Sequence, residues 1–353
     1  IMKYISTRGK APELGFEDVL LSGLANDGGL YIPKEWPELD YKDLPTASYS
    51  EQAAYIIYPF VRDFINFEEL NDITSQAYSQ FPSKKAIDLK EVEKGNYLLE
   101  LFHGPTLAFK DFAMLLLAQF FETSLSKRNK SITILGATSG DTGSAAIEAF
   151  KNNKHCTVFI LFPKGRVSEI QRKQMTTVDS ASIYPIEIDG TFDDCQNLVK
   201  HLFQNLEFKE EVSLGAINSI NWARVAAQIV YYFSTFQQLQ SNRVSFSVPT
   251  GNFGDVLAGW VAKKMGLPID KLKDAFDRKF SIPLLFKGNK IDKNKILKIL
   301  KKNSLTFQEG GRVSNLCDNT NKVKSMNRVV KILKKTEDKL KTIAVGDNYN
   351  DLD

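Results

Sequence analysis

The stretch LELFHGPTLAFKDFAMLLLAQFF (Leu99–Phe121) carries a single basic side chain, Lys110, in a long apolar and aromatic run. Lysine is almost never fully buried without a partner, so this residue needs an explanation. Apolar surroundings disfavour the charged form of a lysine and lower its pKa, and a neutral amine can attack a carbonyl and hold it covalently. The alternative is a helix lysine whose ammonium group reaches solvent while its stem packs on the core.

Two glycine turns accompany this lysine, GATSGDTG (Gly136–Gly143) and GNFGD (Gly251–Asp255), and each joins a predicted strand to a predicted helix. Free N–H groups at a helix start favour an anion, and glycine lets it come close. Neither turn matches GxxxxGK[ST] or GxGxxG, and each one alone is equally typical of a tight turn without a ligand. An amine beside two phosphate cradles favours pyridoxal phosphate, an aldehyde that carries a phosphate and acts as an electron sink.

From about Lys85 the sequence alternates between strand-like and helix-like segments. SITILGA, CTVFILFP and IYPIEI read as buried strands, and SAAIEAFKN and FDDCQNLVKHLF read as helices. Such alternation predicts an α/β fold with a parallel sheet covered by helices on both faces. The segment before residue 85 predicts a small mixed domain.

The composition is that of an ordinary globular protein, with 43% hydrophobic and 25% charged residues. No apolar run is long and clean enough to cross a membrane, and the N-terminus lacks the apolar core of a secretory signal. The cysteines Cys156, Cys195 and Cys317 lie far apart without metal-ligand spacing, which favours buried thiols in a reducing cytoplasm. We expect no metal site before residue 273 and neither nucleic acid nor a membrane as partner.

Eight segments occur in an order typical of one enzyme family. They are YISTRG, LANDGGLYIP, ELFHGPTLAFKDFA, GATSGDTGSAA, FPKGRVSEIQRKQMTT, GTFDDCQNLVK, NSINWARVAAQIVYY and VPTGNFGDVLAGW. This set resembles the threonine synthase family and covers residues 1 to about 272. The resemblance implies a tryptophan-synthase-β-like (type II pyridoxal-phosphate) fold. Residues 1–84 would form the N-terminal domain, and residues 85–272 an incomplete catalytic domain that binds the cofactor.

By this resemblance, Lys110 forms a Schiff base with pyridoxal 5'-phosphate and then acts as general base. The cofactor phosphate would be held by Gly251, Asn252, Phe253, Gly254 and Asp255. The substrate and cofactor side of the cleft would be lined by Thr138, Ser139, Asp141 and Thr142. The implied reaction converts O-phospho-L-homoserine, a small-molecule substrate, and water into L-threonine and phosphate, a step of threonine biosynthesis.

Other polar side chains have two interpretations each. Lys164, Arg166 and Arg172 are candidates for binding anionic substrate groups, and surface charges on a loop and a helix explain them equally well. His103 either orients the Lys110 segment or packs as a neighbour, and packing is the preferred interpretation. Asn218 and Asn221 either reach the site or hold their own loop through hydrogen bonds.

Beyond about Leu272 the sequence departs from this family. Residues 273–353 hold 19 Lys and Arg against 10 Asp and Glu. This excess is typical of a polyanion-binding tail or, since aromatic residues are sparse, of a solvated helical surface, which we prefer. The segment ending in KTIAVGDNYNDLD resembles the C-terminal part of mannosyl-3-phosphoglycerate phosphatase, of the haloacid-dehalogenase-like superfamily. That resemblance implies a phosphate-contacting Lys322 and a magnesium-binding pair, Asp347 and Asp351.

Such a phosphatase also needs a nucleophilic aspartate in a DxDGT motif. The nearest match, EIDGT (Glu187–Thr191), lacks the first aspartate. We therefore interpret residues 273–353 as a phosphatase-like fragment, joined near Leu272 by gene fusion or by a sequence-assembly artefact. The alternatives to threonine synthase are a magnesium-dependent sugar-phosphate phosphatase and an inactive chimaera. Because the tail replaces part of the catalytic domain, we expect low solubility and little threonine formation from the chain as given.

Overall fold

The computed structural model describes residues 2–45, 48–216, 221–239, 243–249 and 253–274, and four strands after them. Strands occupy the following ranges: β1 (Tyr4–Ser6), β2 (Tyr31–Pro33), β3 (Asp88–Glu93), β4 (Asn96–Glu100), β5 (Ile132–Ala137), β6 (Cys156–Pro163), β7 (Ile183–Ile188), β8 (Leu214–Ala216), β9 (Val244–Val248), β10 (Ile269–Asp274), β11 (Ser281–Leu284), β12 (Leu305–Glu309), β13 (Ser314–Asp318) and β14 (Thr342–Gly346).

Helices connect most of these strands. They are α1 (Phe16–Ser22), α2 (Tyr49–Val61), α3 (Phe67–Tyr78), α4 (Lys110–Arg128), α5 (Asp141–Phe150), α6 (Glu169–Thr176), α7 (Phe192–Gln204), α8 (Leu206–Glu211), α9 (Trp222–Leu239) and α10 (Gly254–Lys264). Capping boxes fix the starts of α2, α3, α6 and α7, each with a Ser, Asn or Thr cap and a polar or acidic partner three residues on. None of the helices in the described ranges is long and apolar enough to span a bilayer.

The predicted parallel sheet is present. Strands β7, β6, β5 and β8 lie side by side in that order, and every pairing is parallel. Helices α5 and α7 pack against its central strands. Before this sheet, β1 and β2 form a small antiparallel pair, and α2 packs against α1 and α3. The hydroxyl of Tyr4 on β1 donates to the carbonyl of Phe60 on α2 at 2.7 Å, so residues before 85 have the mixed character that the sequence predicts.

A second sheet has the order β10-β9-β14-β4-β3, with only the β3–β4 pairing antiparallel. Its strand β14 comes from the tail and pairs in parallel with both β4 and β9. The sequence led us to expect a tail that does not cover the apolar face left open in the catalytic domain; β14 adds one strand to this sheet, and the expectation about that face stays a prediction. Strand β10 also runs across Leu272, and the domain boundary there stays a prediction.

The long apolar run of the opening stretch forms α4, in which residues 111–118 are buried without interruption. It contacts α1, α3, α5 and α9, and twelve of its side chains are buried. A helix that is apolar all round belongs inside a protein rather than on its surface. The ring of Phe120 meets that of Phe16 at 5.3 Å between centroids, which ties α1 to α4.

Replacing Phe120 with Ala is expected to lower the free energy of unfolding by about 3–5 kcal/mol, because the ring is fully buried and leaves a cavity. Urea denaturation of the purified chain measures this loss. The matched control is Phe67→Ala on α3, since that ring is 44% exposed, and we expect it to cost about 1 kcal/mol or less. Equal losses for the two variants would contradict the assignment of α4 as the central helix.

Candidate active site

Lys110 is the first residue of α4 and follows the loop that leaves the carboxyl end of β4. Its side chain is half-buried, and Nζ lies 3.9 Å from the centroid of the Phe109 ring. The positive end of a helix dipole favours anions rather than cations, so structural needs alone do not explain a lysine here. A half-buried lysine at the first position of a helix is placed where its amine could contact a ligand.

A buried carboxylate fixes the loop before Lys110. Asp111 accepts hydrogen bonds from the backbone N–H of Thr106 at 2.8 Å and from its hydroxyl at 2.5 Å. A side chain at Gly104 would overlap this carboxylate, so the loop passes directly over it. Burial raises the pKa of Asp111 to about 6, although the hydrogen bonds from Thr106 oppose that rise. The carboxylate is therefore mostly ionised at pH 7 and acts as the anchor of the loop.

The first glycine turn is shaped by Thr138. Its buried Oγ1 accepts hydrogen bonds from the N–H groups of Gly140 at 3.0 Å and Gly143 at 2.9 Å. Gly140 has φ 153°, which L side chains rarely adopt. A side chain at Gly143 would overlap the Thr138 methyl group. The turn therefore needs its glycines, and Thr138 uses its hydroxyl to hold the turn.

The other residues predicted in this turn are more open. Ser139 is exposed, whereas Asp141 and Thr142 at the start of α5 are half-buried. Thr138, Ser139 and Thr142 form one wall of a cavity of about 1150 Å³, and Lys110 is not among its described lining residues. The remaining walls include Leu21, Asn26, Phe192, Gln196 and Lys200. Cleft-lining roles for Thr138, Ser139, Asp141 and Thr142 stay predictions.

The second glycine turn is described only in part, because Gly251 and Asn252 lie outside the described residues. Phe253 is half-exposed at φ 60°, and Gly254 begins α10. The carboxylate of Asp255 accepts a hydrogen bond from the Tyr231 hydroxyl, and its backbone carbonyl accepts one from Tyr232 at 2.8 Å. Asp255 is thus buried among tyrosines and serves α10 as an anchor, while phosphate binding by residues 251–255 stays a prediction.

Two loops of the site contain a non-glycine residue with positive φ. Leu107 in the loop before Lys110 has φ 59° and is 57% exposed, and Phe253 before α10 has φ 60°. Such backbone costs about 1–3 kcal/mol per residue and persists where the surroundings impose it, commonly at functional sites. Phe253 is one of the positions that the sequence selected, and Leu107 lies three residues before Lys110.

Arg224 on α9 is a functional candidate that the sequence analysis missed. It is 1% exposed, and its Nε and Nη1 atoms have no hydrogen-bond partner among the described residues. Burial lowers the pKa of Arg224 to about 10, and the Asp255 carboxylate opposes that fall. The guanidinium group remains charged at pH 7, so it can bind an anion. A lone cation in the apolar run WARVAAQIVYYF was the available signal, the same signal that selected Lys110.

The topology brings the loop before Lys110 and the turn into α10 to one edge of a sheet. Strands β4, β14 and β9 are adjacent and parallel, so the carboxyl ends of β4 and β9 lie at the same edge, two strand spacings or about 10 Å apart. The loop to Lys110 leaves β4, and the turn to α10 leaves β9. Ligands of open α/β sheets bind at such carboxyl edges.

The other predicted side chains have local partners or lie on the surface. Arg172 pairs with Glu169 at 2.9 Å, and Lys164 and Arg166 are exposed. Asn221 donates to the carbonyl of Leu20 at 3.0 Å and accepts from the N–H of Ala223. The structural interpretation therefore fits Asn221, which starts α9. Asn218, Lys322, Asp347 and Asp351 lie outside the described residues.

His103 bonds to Glu100 at the end of β4, with 2.9 Å between Nε2 and Oε2. Lys90 reaches the other oxygen of the Glu100 carboxylate, also at 2.9 Å. Asp88, Glu100 and His103 bring three possible metal-ligand atoms within 4.8 Å of one another. Both oxygens of the buried carboxylate already have a protein partner, so the group is an ion-pair cluster that supports β4, and packing is the better account of His103.

Comparison with known proteins identifies two family models along the chain. Residues 3–78 match the model "Threonine synthase N terminus", and residues 82–271 match the model "Pyridoxal-phosphate dependent enzyme". The threonine synthase of Pseudomonas aeruginosa is 47% identical over 298 residues, which are 83% of this chain and 64% of that protein. The threonine synthase of Schizosaccharomyces pombe is 44% identical over 312 residues, 83% of this chain and 60% of that protein. The chain thus spans less than two thirds of these relatives.

Solved structures agree with these matches. A threonine synthase from Brucella melitensis, described as bound to PLP, superposes with a TM-score of 0.80 at 35% identity and covers 99% of this chain and 89% of its own. Yeast threonine synthase superposes with a TM-score of 0.74 at 38% identity, over 94% of this chain and 71% of its own. The fold is therefore the predicted type II pyridoxal-phosphate fold, and the chain belongs to the threonine synthase family of pyridoxal-phosphate-dependent enzymes.

Proposed function

We propose that this chain binds pyridoxal 5'-phosphate through Lys110 and serves the threonine synthase reaction, in which O-phospho-L-homoserine and water give L-threonine and phosphate. The observation that carries the proposal is the placement of a half-buried Lys110 at the start of a buried helix, on the same sheet edge as the turn into α10. Membership of the family supports it. The cytoplasm, where the phosphorylated amino acid would be available, is the proposed compartment.

The residues present fit this cofactor. A phosphate needs cations and N–H donors, and Arg224 offers two unpartnered N–H-bearing atoms in a buried position close to Asp255 on α10. An aldehyde needs an amine, which Lys110 provides. When bound, pyridoxal phosphate supplies an aldehyde that condenses with amines and a ring that accepts electron pairs.

The chain's own residues would then act on protons and charge. The Lys110 amine takes and returns protons at Cα and Cβ of the amino-acid substrate, which a positioned base does efficiently when it is fixed by its backbone. Asp111 keeps the loop before Lys110 in one conformation. Arg224 balances the charge of a phosphate group inside the protein. Phosphate leaves from Cγ and water adds at Cβ, so one water is consumed for each phosphate released.

The tail is proposed to add no phosphatase activity. Its resemblance to a phosphatase stays a prediction. The only near match to the nucleophile motif in the sequence, Glu187–Thr191, ends at the start of a helix. Thr191 is the N-cap of α7 and forms a capping box with Asp194. The motif therefore serves a helix start, and no aspartate stands at its first position.

The first prediction concerns Lys110. Incubation with pyridoxal phosphate followed by borohydride reduction should leave a pyridoxyl group on Lys110, because its loop leaves the sheet at the same edge as the turn into α10. Peptide mass spectrometry locates the label. Lys110→Ala should abolish it, while Lys173→Ala, which removes an exposed lysine of α6, should leave it unchanged.

Label on another lysine, or none, would overturn the assignment. Turnover is tested separately with a chimaera in which a threonine synthase C-terminus replaces the residues after Leu272. It should release threonine from O-phospho-L-homoserine, and the release should disappear with Lys110→Ala. The low activity expected of the chain as given is measured beside it.

The second prediction concerns Arg224. Arg224→Met keeps the volume but removes the charge, so binding of inorganic phosphate should weaken about 10- to 100-fold, the loss of one charge-assisted hydrogen bond. Isothermal titration calorimetry measures the dissociation constant, with Arg62→Met, at an exposed arginine directly after α2, as the control. A parallel loss of affinity for pyridoxal phosphate assigns Arg224 to the cofactor, and an unchanged one assigns it to the substrate phosphate. Unchanged binding of both would contradict its role.

The third prediction concerns the tail. With magnesium present, the chain should not hydrolyse mannosyl-3-phosphoglycerate, since the nucleophilic aspartate is missing. Release of inorganic phosphate is the measurement. Hydrolysis that Asp347→Asn removes would show that the phosphatase alternative is correct.

A further inference from the structure

Helix α6 lies between the two segments that the site depends on, the loop before Lys110 and the turn into α5. It begins with a capping box in which Gln171 donates its backbone N–H to the Ser168 hydroxyl at 3.2 Å, while the Gln171 Oε1 accepts from the Ser168 N–H at 3.1 Å. The helix start is thereby fixed, and so is the direction of the Gln171 side chain.

The other end of the Gln171 amide points to α5. Its Nε2 donates to Oδ1 of Asp141 at 2.5 Å. A Cβ on Gly140 would come within 2.5 Å of the same nitrogen, so the glutamine packs flat on the turn. Met175, one turn further along α6, is fully buried and close to Gly143. Helix α6 is therefore in direct contact with the turn into α5.

Gln174 contacts the other segment. Its Nε2 donates to the backbone carbonyl of Thr106 at 2.9 Å. Thr106 is also the residue whose N–H and hydroxyl donate to the Asp111 carboxylate. Residues three apart share one face of a helix, so Gln171 and Gln174 act side by side. The intervening Arg172 pairs with Glu169 on its own helix instead.

We propose that Gln171 and Gln174 are positioning residues that hold the Lys110 loop and the turn into α5 at a fixed separation. The inference rests on the proposed function, since the Lys110 loop and the turn into α5 are the two segments that would receive the amino-acid substrate. Neither glutamine touches the reacting atoms. Each acts through one amide hydrogen bond to a segment far away in the sequence. Helix α6 connects the two glutamines and so fixes the distance between the two segments.

The test uses the full chain and variants that keep the volume of the side chain. Gln174→Met and Gln171→Met each remove the amide donor, and Arg172→Met on the same helix is the matched control. Hydrogen exchange read by mass spectrometry, without cofactor, should show about 2- to 10-fold faster exchange in residues 104–109 for Gln174→Met, the value of one neutral hydrogen bond. In residues 138–143, exchange should be about 10- to 100-fold faster for Gln171→Met, because the lost bond goes to the Asp141 carboxylate. Arg172→Met should change neither segment.

A second readout concerns the cofactor at Lys110. The pH midpoint of the absorbance of the bound pyridoxal phosphate should move by about 0.3–1 pH unit in Gln174→Met, equivalent to the same 2- to 10-fold change, and stay in place in Arg172→Met. Gln174→Lys provides a donor again and should restore both the exchange rate and the midpoint. A purely structural role would lower stability without moving the midpoint.

The outcomes separate the two proposals. If Lys110 is labelled in the unchanged chain but Gln174→Met and Gln171→Met behave like Arg172→Met, the positioning role is wrong and the proposed function stands. If no label forms while the two exchange effects appear, the proposed function fails and α6 still joins the segments. Unfolding of Gln174→Met together with a failure of Gln174→Lys to restore the loop would also overturn the positioning role.

Discussion

The burial of α4 is the constraint on which the rest of the structure depends. A helix with apolar side chains all round must be covered on every side, and α1, α3, α5 and α9 provide that cover. Ser124 is a polar exception, and it donates a hydrogen bond to Glu17. Only the ends of such a helix remain for polar chemistry. Lys110 stands at the first position, on a support that cannot shift without opening the core, and precision of this kind is what a reacting amine needs.

Three helices of the site have an aspartate in their first turn. An aspartate occupies the first or second position of α4, α5 and α10, where the helix dipole favours a negative charge. Each one also binds a separate segment: Asp111 accepts from Thr106, Asp141 from Gln171 and Asp255 from Tyr231. The segments at these helix starts are thus held by buried or half-buried carboxylates.

The buried charge on α9 fits the same logic. Desolvation of an ion costs several kcal/mol, and the Asp255 carboxylate near Arg224 is already hydrogen-bonded to Tyr231. A guanidinium group with two unpartnered nitrogen atoms is therefore incompletely compensated by the described residues. Binding of a phosphate at this place would supply the missing anion. The desolvation free energy of the buried guanidinium group would then be offset by its interaction with the phosphate.

The sequence by itself determined the chemistry-bearing segments. A lone lysine in an apolar run, two glycine turns and alternating strand and helix patterns predicted a reactive Lys110 and the parallel sheet, because these signals are local and periodic. The family followed from eight segments that occur in its typical order, and the role of Lys110 stays a prediction. Only the tertiary structure decided the neighbours. That β14 lies between β4 and β9, that Asp255 is turned toward Tyr231, and that Gln171 and Gln174 connect segments 30 and 68 residues away all depend on contacts between distant parts of the chain. The residue type determines how many hydrogen bonds a side chain can form, but tertiary packing determines its partners. Packing brings some polar groups together, and it buries Arg224 with two nitrogen atoms that have no partner among the described residues.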